Sequence, residues 1–180
     1  MLLNLPNSIT AFRILLIPVF MTFLLGTLPG GDVLAVVTFT IAAATDSLDG
    51  YFARRRSQTT VLGTFLDPLA DKLLISAALV ALVDLGNVSA WVAMVIIARE
   101  FAVSGLRMVA AAENVIIPAS KWGKAKTASQ MVAIVAVILD PGRLTTSLLW
   151  IAVVLTVVSG VDYFMKARDR LYSPQERATD

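Results

Sequence analysis

The sequence predicts an all-α integral membrane protein with six transmembrane helices. Of its 180 residues, 57% are hydrophobic and only 16% are charged, and the mean hydropathy of +0.78 is well above what a soluble domain needs to fill its core. Six apolar runs approach the ~20 residues that cross about 30 Å of hydrocarbon. They span roughly residues 8–25, 33–52, 62–83, 90–111, 128–139 (extendable toward Trp122) and 145–165.

The segments between these runs indicate how the helices are connected. The stretch "LPNS" precedes the first run, so Asn7 or Ser8 is expected to cap the first helix. Turn-rich connectors follow the first, third and fifth runs, with the sequences "GTLPGGD", "DLGNVS" and "DPGRLTT". No linker is long enough to separate domains, so residues 1–180 are expected to form a single domain.

Basic residues predict the orientation of the helices. They follow the second, fourth and sixth runs, whereas the opposite connectors carry only Arg143. The basic residues are Arg54, Arg55, Arg56, Lys121, Lys124, Lys126, Lys166, Arg168 and Arg170. Because cytoplasmic loops are enriched in lysine and arginine, both termini and the loops after the second and fourth runs are expected to face the cytoplasm.

The composition restricts the chemistry. Cysteine and histidine are absent, which excludes disulfides, thiolate metal sites and a histidine general base. Catalysis must therefore use carboxylates, lysines, arginines or hydroxyls. No feature of the sequence supports nucleic-acid binding.

Four aspartates surround the connector between the second and third runs. Asp49 and Asp67 lie equally far from Gln58, and Asp46 and Asp71 nearly so. In a helical hairpin the two pairs should reach matching depths, and each pair shares one helix face because its members are three or four residues apart. The four carboxylates are therefore expected to converge near the membrane interface.

Like charges at this depth require neutralisation. Hard divalent cations prefer carboxylate oxygens, and two ions held by four acids resemble the clamp that grips a transferring phosphoryl group. Two other interpretations remain open. The acids could pair with basic neighbours, namely Arg54, Arg55, Arg56 and Lys72, or they could belong to a cation transporter.

Small residues flank the acidic pairs. Gly50 and Gly63 have no side chain, which would let a nucleotide or pyrophosphate approach the backbone, although tight helix packing is the alternative. Ala53 adds a second small residue one turn from Gly50. With the aspartates and Arg54 they form the pattern D-x-x-D-G-x-x-A-R, eight residues, then G-x-x-x-D-x-x-x-D.

This pattern resembles, at every position, the signature of the CDP-alcohol phosphatidyltransferase family. The stretches "NLPNSITAFRILLIP", "REFAVSGLRMVAA" and "KWGKAKTASQ" resemble the branch formed by the bacterial phosphatidylglycerophosphate synthases. The resemblance implies a homodimeric six-helix enzyme of the cytoplasmic (inner) membrane whose active site faces the cytoplasm. Such enzymes move a phosphatidyl group from CDP-diacylglycerol to an alcohol, release CMP and use Mg²⁺ or Mn²⁺, here as two expected ions.

The resemblance also implies residue roles. The metal ligands would be Asp46, Asp49, Asp67 and Asp71, and Asp71 would also serve as general base. The CDP-diacylglycerol site would comprise Asp49, Gly50, Ala53, Arg54 and Gly63. Glycerol 3-phosphate is the expected acceptor, and the alternatives are the acceptors of a cardiolipin synthase or a phosphatidylinositol-phosphate synthase.

An anionic acceptor needs cationic groups, and the candidates are Arg99, Arg107, Lys124 and Lys126. Arg99 could instead form an internal ion pair with Glu100 or the aspartates, and the others could be positive-inside anchors against lipid headgroups. Three classes of function therefore remain possible: an enzyme, a cation transporter and a structural membrane module. Only the enzyme would release CMP from CDP-diacylglycerol.

Overall fold

A computed structural model describes residues 5–56, 61–113, 115, 117 and 121–172, with side chains described for residues 8, 10–45, 69–113, 115, 117 and 122–170. The six helices are α1 (Leu5–Leu25), α2 (Gly31–Arg56), α3 (Val61–Asp84), α4 (Ala90–Ala112), α5 (Lys121–Leu139) and α6 (Arg143–Tyr172). All regular structure within these ranges is helical, which confirms the predicted all-α class and the number of helices.

The start of α1 differs from the prediction. The helix begins at Leu5, so Asn7 and Ser8 lie inside it and the expected cap at either residue is wrong. Pro6 falls in the first turn, where its missing N–H is not needed and its fixed φ angle suits the helix. Asn7 and Ser8 lie in the same first turn of the helix.

The basic segments also differ from the prediction, because they are helical. Residues 54–56 end α2, the three lysines of residues 121–126 open α5, and the basic residues of 166–170 lie within α6. The expectation that these residues lie in connectors is wrong. Lysine and arginine favour helical geometry, so each helix can continue past its apolar run. For α5 this extension adds the length that the short apolar run lacked.

The turn predicted after the third run is confirmed in detail. Gly86 adopts a φ of 73°, which glycine reaches without steric cost. Its N–H donates to the Val83 carbonyl at 3.0 Å, and the Asn87 N–H donates to the Leu82 carbonyl at 2.9 Å. This pair of hydrogen bonds is a Schellman motif that ends α3, and the buried Val88 side chain follows it.

The chain divides into two compact units. The first contains residues Met1–Ala93 and Ile134–Pro141, and the second contains Met94–Ala133 and Gly142–Asp180. In the first unit, α1 packs against α2 and α3. The Phe20 and Phe39 rings lie 5.6 Å apart in its core, and buried alanines such as Ala35 and Ala70 allow the helix backbones to approach closely.

In the second unit, α4 packs on α6 through a small apolar cluster that includes Val103, Ala110, Tyr163 and Ala167. Polar side chains are also buried here, among them those of Lys126, Gln130, Thr156 and Ser159. Buried polar groups are tolerated when they are hydrogen-bonded, so each of these side chains is expected to have a partner.

That residues 1–180 form a single domain stays a prediction.

Within the part of the chain that the structure describes, one helix is long and apolar enough to cross a membrane, the segment Arg143–Arg170 of α6. Shorter apolar stretches cover Thr10–Leu25 and Gly31–Thr45. Helix α4 carries three charges, Arg99, Glu100 and Arg107, which reduce its apolar content.

Candidate active site

The signature aspartates lie on α2 and α3, two helices that contact each other. Asp49 lies seven residues before the end of α2, and Asp67 lies six residues after the start of α3, about 9–10 Å along each axis. Asp46 and Asp71 each lie ten residues from those same ends, about 15 Å along the axis. The helix bounds therefore support two pairs at matching distances along the hairpin.

Most signature side chains lie outside the described residues, so their roles stay predictions. This holds for Asp46, Asp49, Gly50, Ala53, Arg54, Gly63 and Asp67, for which the structure describes only a helical backbone. Asp71 is described: its side chain is half-buried and has an interaction partner.

The donor set of the signature fits a divalent cation by its chemistry. All four candidate ligands are carboxylates, and hard cations such as Mg²⁺ and Mn²⁺ take oxygen ligands. Among the described side chains, no group of three or more acids gathers as a metal site. Three of the four signature aspartates lie outside the described side chains, so the metal site stays a prediction.

Arg13 is a further candidate site residue, and it was not among the residues predicted from the sequence. Its side chain is fully buried on α1, and its Nε donates to the Thr45 hydroxyl at 3.4 Å. Thr45 in turn donates to the Ala42 carbonyl at 2.6 Å, and it directly precedes Asp46. Arg13 therefore connects α1 to α2 at the start of the signature. A charge inside the first apolar run was the hint in the sequence.

The second unit collects two of the four predicted acceptor cations around one carboxylate. Glu100 Oε1 accepts a close, charge-assisted hydrogen bond from Lys126 Nζ. The same oxygen lies 3.4 Å from Arg99 Nη1 and 3.5 Å from Gln130 Nε2. Residues from α4 and α5 thus share a single acceptor atom.

Two hydroxyls of α6 complete this arrangement. Arg99 Nη2 donates to Ser159 Oγ at 2.9 Å, and Gln130 Nε2 donates to Thr156 Oγ1 at 2.9 Å. Thr156 itself donates to the Ala152 carbonyl at 2.6 Å. We refer to these residues as the Glu100 cluster: Arg99, Glu100, Lys126, Gln130, Thr156 and Ser159.

Arg99 lies close to Gly160 of α6, and one of its nitrogen atoms has no partner among the described residues. A Cβ on Gly160 would lie 3.2 Å from Arg99 Cγ and 3.4 Å from its Nε, so a larger residue there would require the arginine to move by a few tenths of an ångström. Arg99 Nε is buried and has no hydrogen-bond partner within the described ranges. A buried donor without a partner costs free energy. An anionic group that bound this N–H would remove that cost.

The other two predicted acceptor cations lie outside the cluster. Arg107 is exposed, with its guanidinium carbon 5.6 Å from the centre of the Tyr163 ring and its Nε 3.5 Å from the Tyr163 hydroxyl. Lys124 is exposed on α5. For Arg99, the alternative of an ion pair with Glu100 is what the structure shows, and direct contact with an acceptor stays a prediction.

Three other cluster members, one on α5 and two on α6, were not predicted from the sequence. Gln130, Thr156 and Ser159 interrupt apolar runs, and this interruption was the available hint. Their partners are 26 to 60 residues away in the chain, so no local pattern connects them.

Comparison with known proteins gives the family. The profile of the CDP-alcohol phosphatidyltransferases matches residues 3–158 and therefore extends through both units. The chain belongs to the CDP-alcohol phosphatidyltransferase family, as the signature predicted.

Three relatives are named for one reaction. A CDP-diacylglycerol–glycerol-3-phosphate 3-phosphatidyltransferase of Bacillus subtilis (strain 168) is 46% identical, covering 91% of this chain and 94% of the relative. One of Pseudomonas fluorescens is 44% identical, covering 79% and 76%. A probable phosphatidylglycerophosphate synthase of Mycobacterium tuberculosis is 40% identical, covering 91% and 81%. Membership of a transferase family favours the enzyme over the transporter and the structural module.

Proposed function

We propose that this chain transfers the phosphatidyl group of CDP-diacylglycerol to sn-glycerol 3-phosphate, giving phosphatidylglycerophosphate and CMP. The observation that carries the proposal is the 46% identity to a relative named for this reaction, over nearly the whole of both chains. The signature at residues 46–71 adds the carboxylates and small residues that such a transfer requires.

The donor would bind along the hairpin of α2 and α3. The four signature aspartates would hold two Mg²⁺ or Mn²⁺ ions, which when bound neutralise the charge that develops on the pyrophosphate. Gly50 and Gly63 would let the nucleotide approach the backbone, with Ala53 as a further small neighbour. Arg54 would contact the phosphates, because a guanidinium matches their geometry.

Asp71 is proposed as the general base. The acceptor oxygen forms a bond to the phosphorus next to diacylglycerol, and the bond from that phosphorus to CMP breaks with its electron pair on CMP. The acceptor hydroxyl must lose its proton during this attack, and with no histidine in the chain a carboxylate is the available base. Asp71 belongs to the pair that lies farther from the hairpin turn, where the acyl-side phosphate is expected.

The acceptor phosphate is proposed to bind cations of the second unit. Arg99 and Lys126 share one carboxylate, so this group carries a net positive charge when all three are ionised. The exposed Arg107 and Lys124 could contribute at its edge. The positive charge of this group would attract the acceptor phosphate, and its N–H groups would donate charge-assisted hydrogen bonds to it.

The arrangement in the membrane belongs to the same proposal. Six spans, cytoplasmic termini, a location in the cytoplasmic (inner) membrane and a homodimer follow from the family resemblance and the basic segments. The apolar length of α6 supports the membrane location. A cytoplasmic active site suits a donor whose CDP group is water-soluble and whose acyl chains are not.

The test is an assay of the purified protein in detergent micelles with CDP-diacylglycerol and three acceptors: glycerol 3-phosphate, inositol phosphate and phosphatidylglycerol. CMP release and a phosphatidylglycerophosphate product are expected with glycerol 3-phosphate. Release with phosphatidylglycerol alone would indicate a cardiolipin synthase instead, and no CMP release with any acceptor would contradict the proposal.

Metal removal tests the aspartate site in the same assay. EDTA should abolish CMP release, and excess Mg²⁺ or Mn²⁺ should restore it, because the like charges of four carboxylates and a pyrophosphate cannot approach unneutralised. Full activity after complete chelation would exclude the metal role of the aspartates.

A further inference from the structure

Glu100 is the centre of the buried polar cluster, yet it is an acid in the region proposed to bind an acid. Its Oε1 atom accepts hydrogen bonds from Lys126, Arg99 and Gln130. A carboxylate beside a phosphate site would repel the phosphate if it only contributed charge. Its presence there requires another explanation.

The geometry of α5 provides the first part of that explanation. Lys126 and Gln130 are four residues apart on α5, so both project from the same face toward α4. Lysine has four rotatable side-chain bonds and loses much conformational freedom when it is fixed in one position. The close hydrogen bond to Glu100 restricts the ammonium group to one place, although the side chain is almost fully buried.

The geometry of Arg99 provides the second part. Its two terminal nitrogens are occupied by different partners, Nη1 by Glu100 and Nη2 by Ser159. The side chain lies beside Gly160 of α6, in space that a Cβ at that position would crowd. The guanidinium is thereby oriented with Nε as the donor that lacks a partner within the described residues.

We propose that Glu100 is a positioning residue that fixes Lys126 and Arg99 in the arrangement that receives the acceptor phosphate. Glu100 itself does not contact the phosphate. The inference rests on the proposed function, because it assumes a phosphate-bearing acceptor. Because both cations are already ordered before the acceptor binds, less conformational entropy is lost on binding.

Two substitutions separate positioning from charge. Glu100→Gln removes the negative charge but keeps the side-chain length. If Glu100 acted only through its charge, this change would strengthen phosphate binding and lower the KM for glycerol 3-phosphate. Positioning predicts the opposite: the KM for glycerol 3-phosphate rises by about tenfold, since a charge-assisted hydrogen bond is weakened.

Glu100→Asp is the second variant, and it decides the case if the first does not fold. It keeps the charge and withdraws the carboxylate by one methylene group. Positioning predicts a raised KM for glycerol 3-phosphate with the KM for CDP-diacylglycerol little changed, whereas a pure charge effect predicts no change in either. Asp162→Asn is the matched control, because it removes an acid from an exposed ion pair with Lys166 on α6.

The second measurement is the preference for glycerol 3-phosphate over glycerol, expressed as a ratio of kcat/KM values. Both Glu100 variants should reduce this ratio by about tenfold relative to the control, because glycerol has no phosphate to bind. A wild-type ratio in Glu100→Asp, or a lowered KM in Glu100→Gln, would overturn the inference. Inactive wild-type protein would instead overturn the proposed function, so the two failures are distinguishable.

Discussion

Asp71 is the signature aspartate whose side chain the structure describes, and its half-buried position allows a specific prediction. Asp71→Asn keeps the size and one oxygen but cannot accept a proton. If Asp71 is the general base, kcat should fall by about 10² or more, with the KM for CDP-diacylglycerol largely retained. Steady-state CMP release in micelles would measure both parameters.

The comparison variant for this prediction is Asp46→Asn, which should weaken metal and donor binding because Asp46 is proposed as a ligand. Near-normal kcat in Asp71→Asn would remove the general-base role. Equal loss of donor binding in both variants would leave Asp71 as a ligand alone.

Arg13 should stabilise the first unit by more than its hydrogen bond to Thr45 contributes. Thr45→Val removes that bond and, if α1 and α2 span the membrane as proposed, should lower the free energy of unfolding by about 0.6 kcal/mol, the average for hydrogen bonds between membrane helices. Arg13→Ala should lower it by about 2–4 kcal/mol, because truncating a fully buried side chain also leaves a cavity. Unfolding in mixed micelles would measure both, and equal losses would contradict the prediction.

At the scale of residues, the sequence predicts the aspartate pattern and offers Glu100 as a partner for Arg99, but it does not predict the other groups around the acceptor cations. The aspartates repeat at helical spacing within 26 residues, so the pattern could be read locally. The contacts of Lys126 with Glu100, and of Arg99 with Ser159, depend on how α4, α5 and α6 pack. Local spacing contains no information about such pairings.

At the scale of helices, the close passage of Arg99 over α6 makes Gly160 sensitive to substitution. Gly160→Ala would place a methyl group 3.2 Å from Arg99 Cγ, so the arginine must shift by a few tenths of an ångström. The KM for glycerol 3-phosphate should therefore rise by about two- to fivefold, because phosphate contacts depend on such alignment. Gly105→Ala is the matched control on α4, since a Cβ there meets no atom within 4 Å. Equal kinetics in the two variants would contradict this prediction.

The helix ends illustrate what apolar runs cannot predict. The runs located all six helices, but the observed α2, α5 and α6 include the basic residues that were expected in connectors. Hydropathy measures where a helix is apolar, and a helix that reaches water continues as long as its residues favour helical geometry. Glycine positions were more informative, as the Schellman turn at Gly86 shows.

At the scale of the whole molecule, the topology is directly testable because the chain has no cysteine. Single cysteines at Asn87, Asp140 and Lys166 would occupy exposed positions. With cytoplasmic termini, a membrane-impermeant maleimide should label Asn87→Cys and Asp140→Cys in intact spheroplasts, but Lys166→Cys only after permeabilisation. Labelling of Lys166→Cys in intact spheroplasts would contradict the proposed orientation.

If all six helices span the bilayer as proposed, the order of the charges along the chain also bears on how the helices enter it during synthesis. Arg99 and Glu100 are adjacent on α4, so this helix can leave the translocon with the two charges partly compensating each other. Lys126 follows on α5, when Glu100 is already present to receive it. An intramembrane lysine without that partner costs about 3 kcal/mol at the bilayer centre. Synthesis from the amino terminus would thus make Glu100 before Lys126 needs it, and a circular permutant that makes α5 before α4 should insert less efficiently.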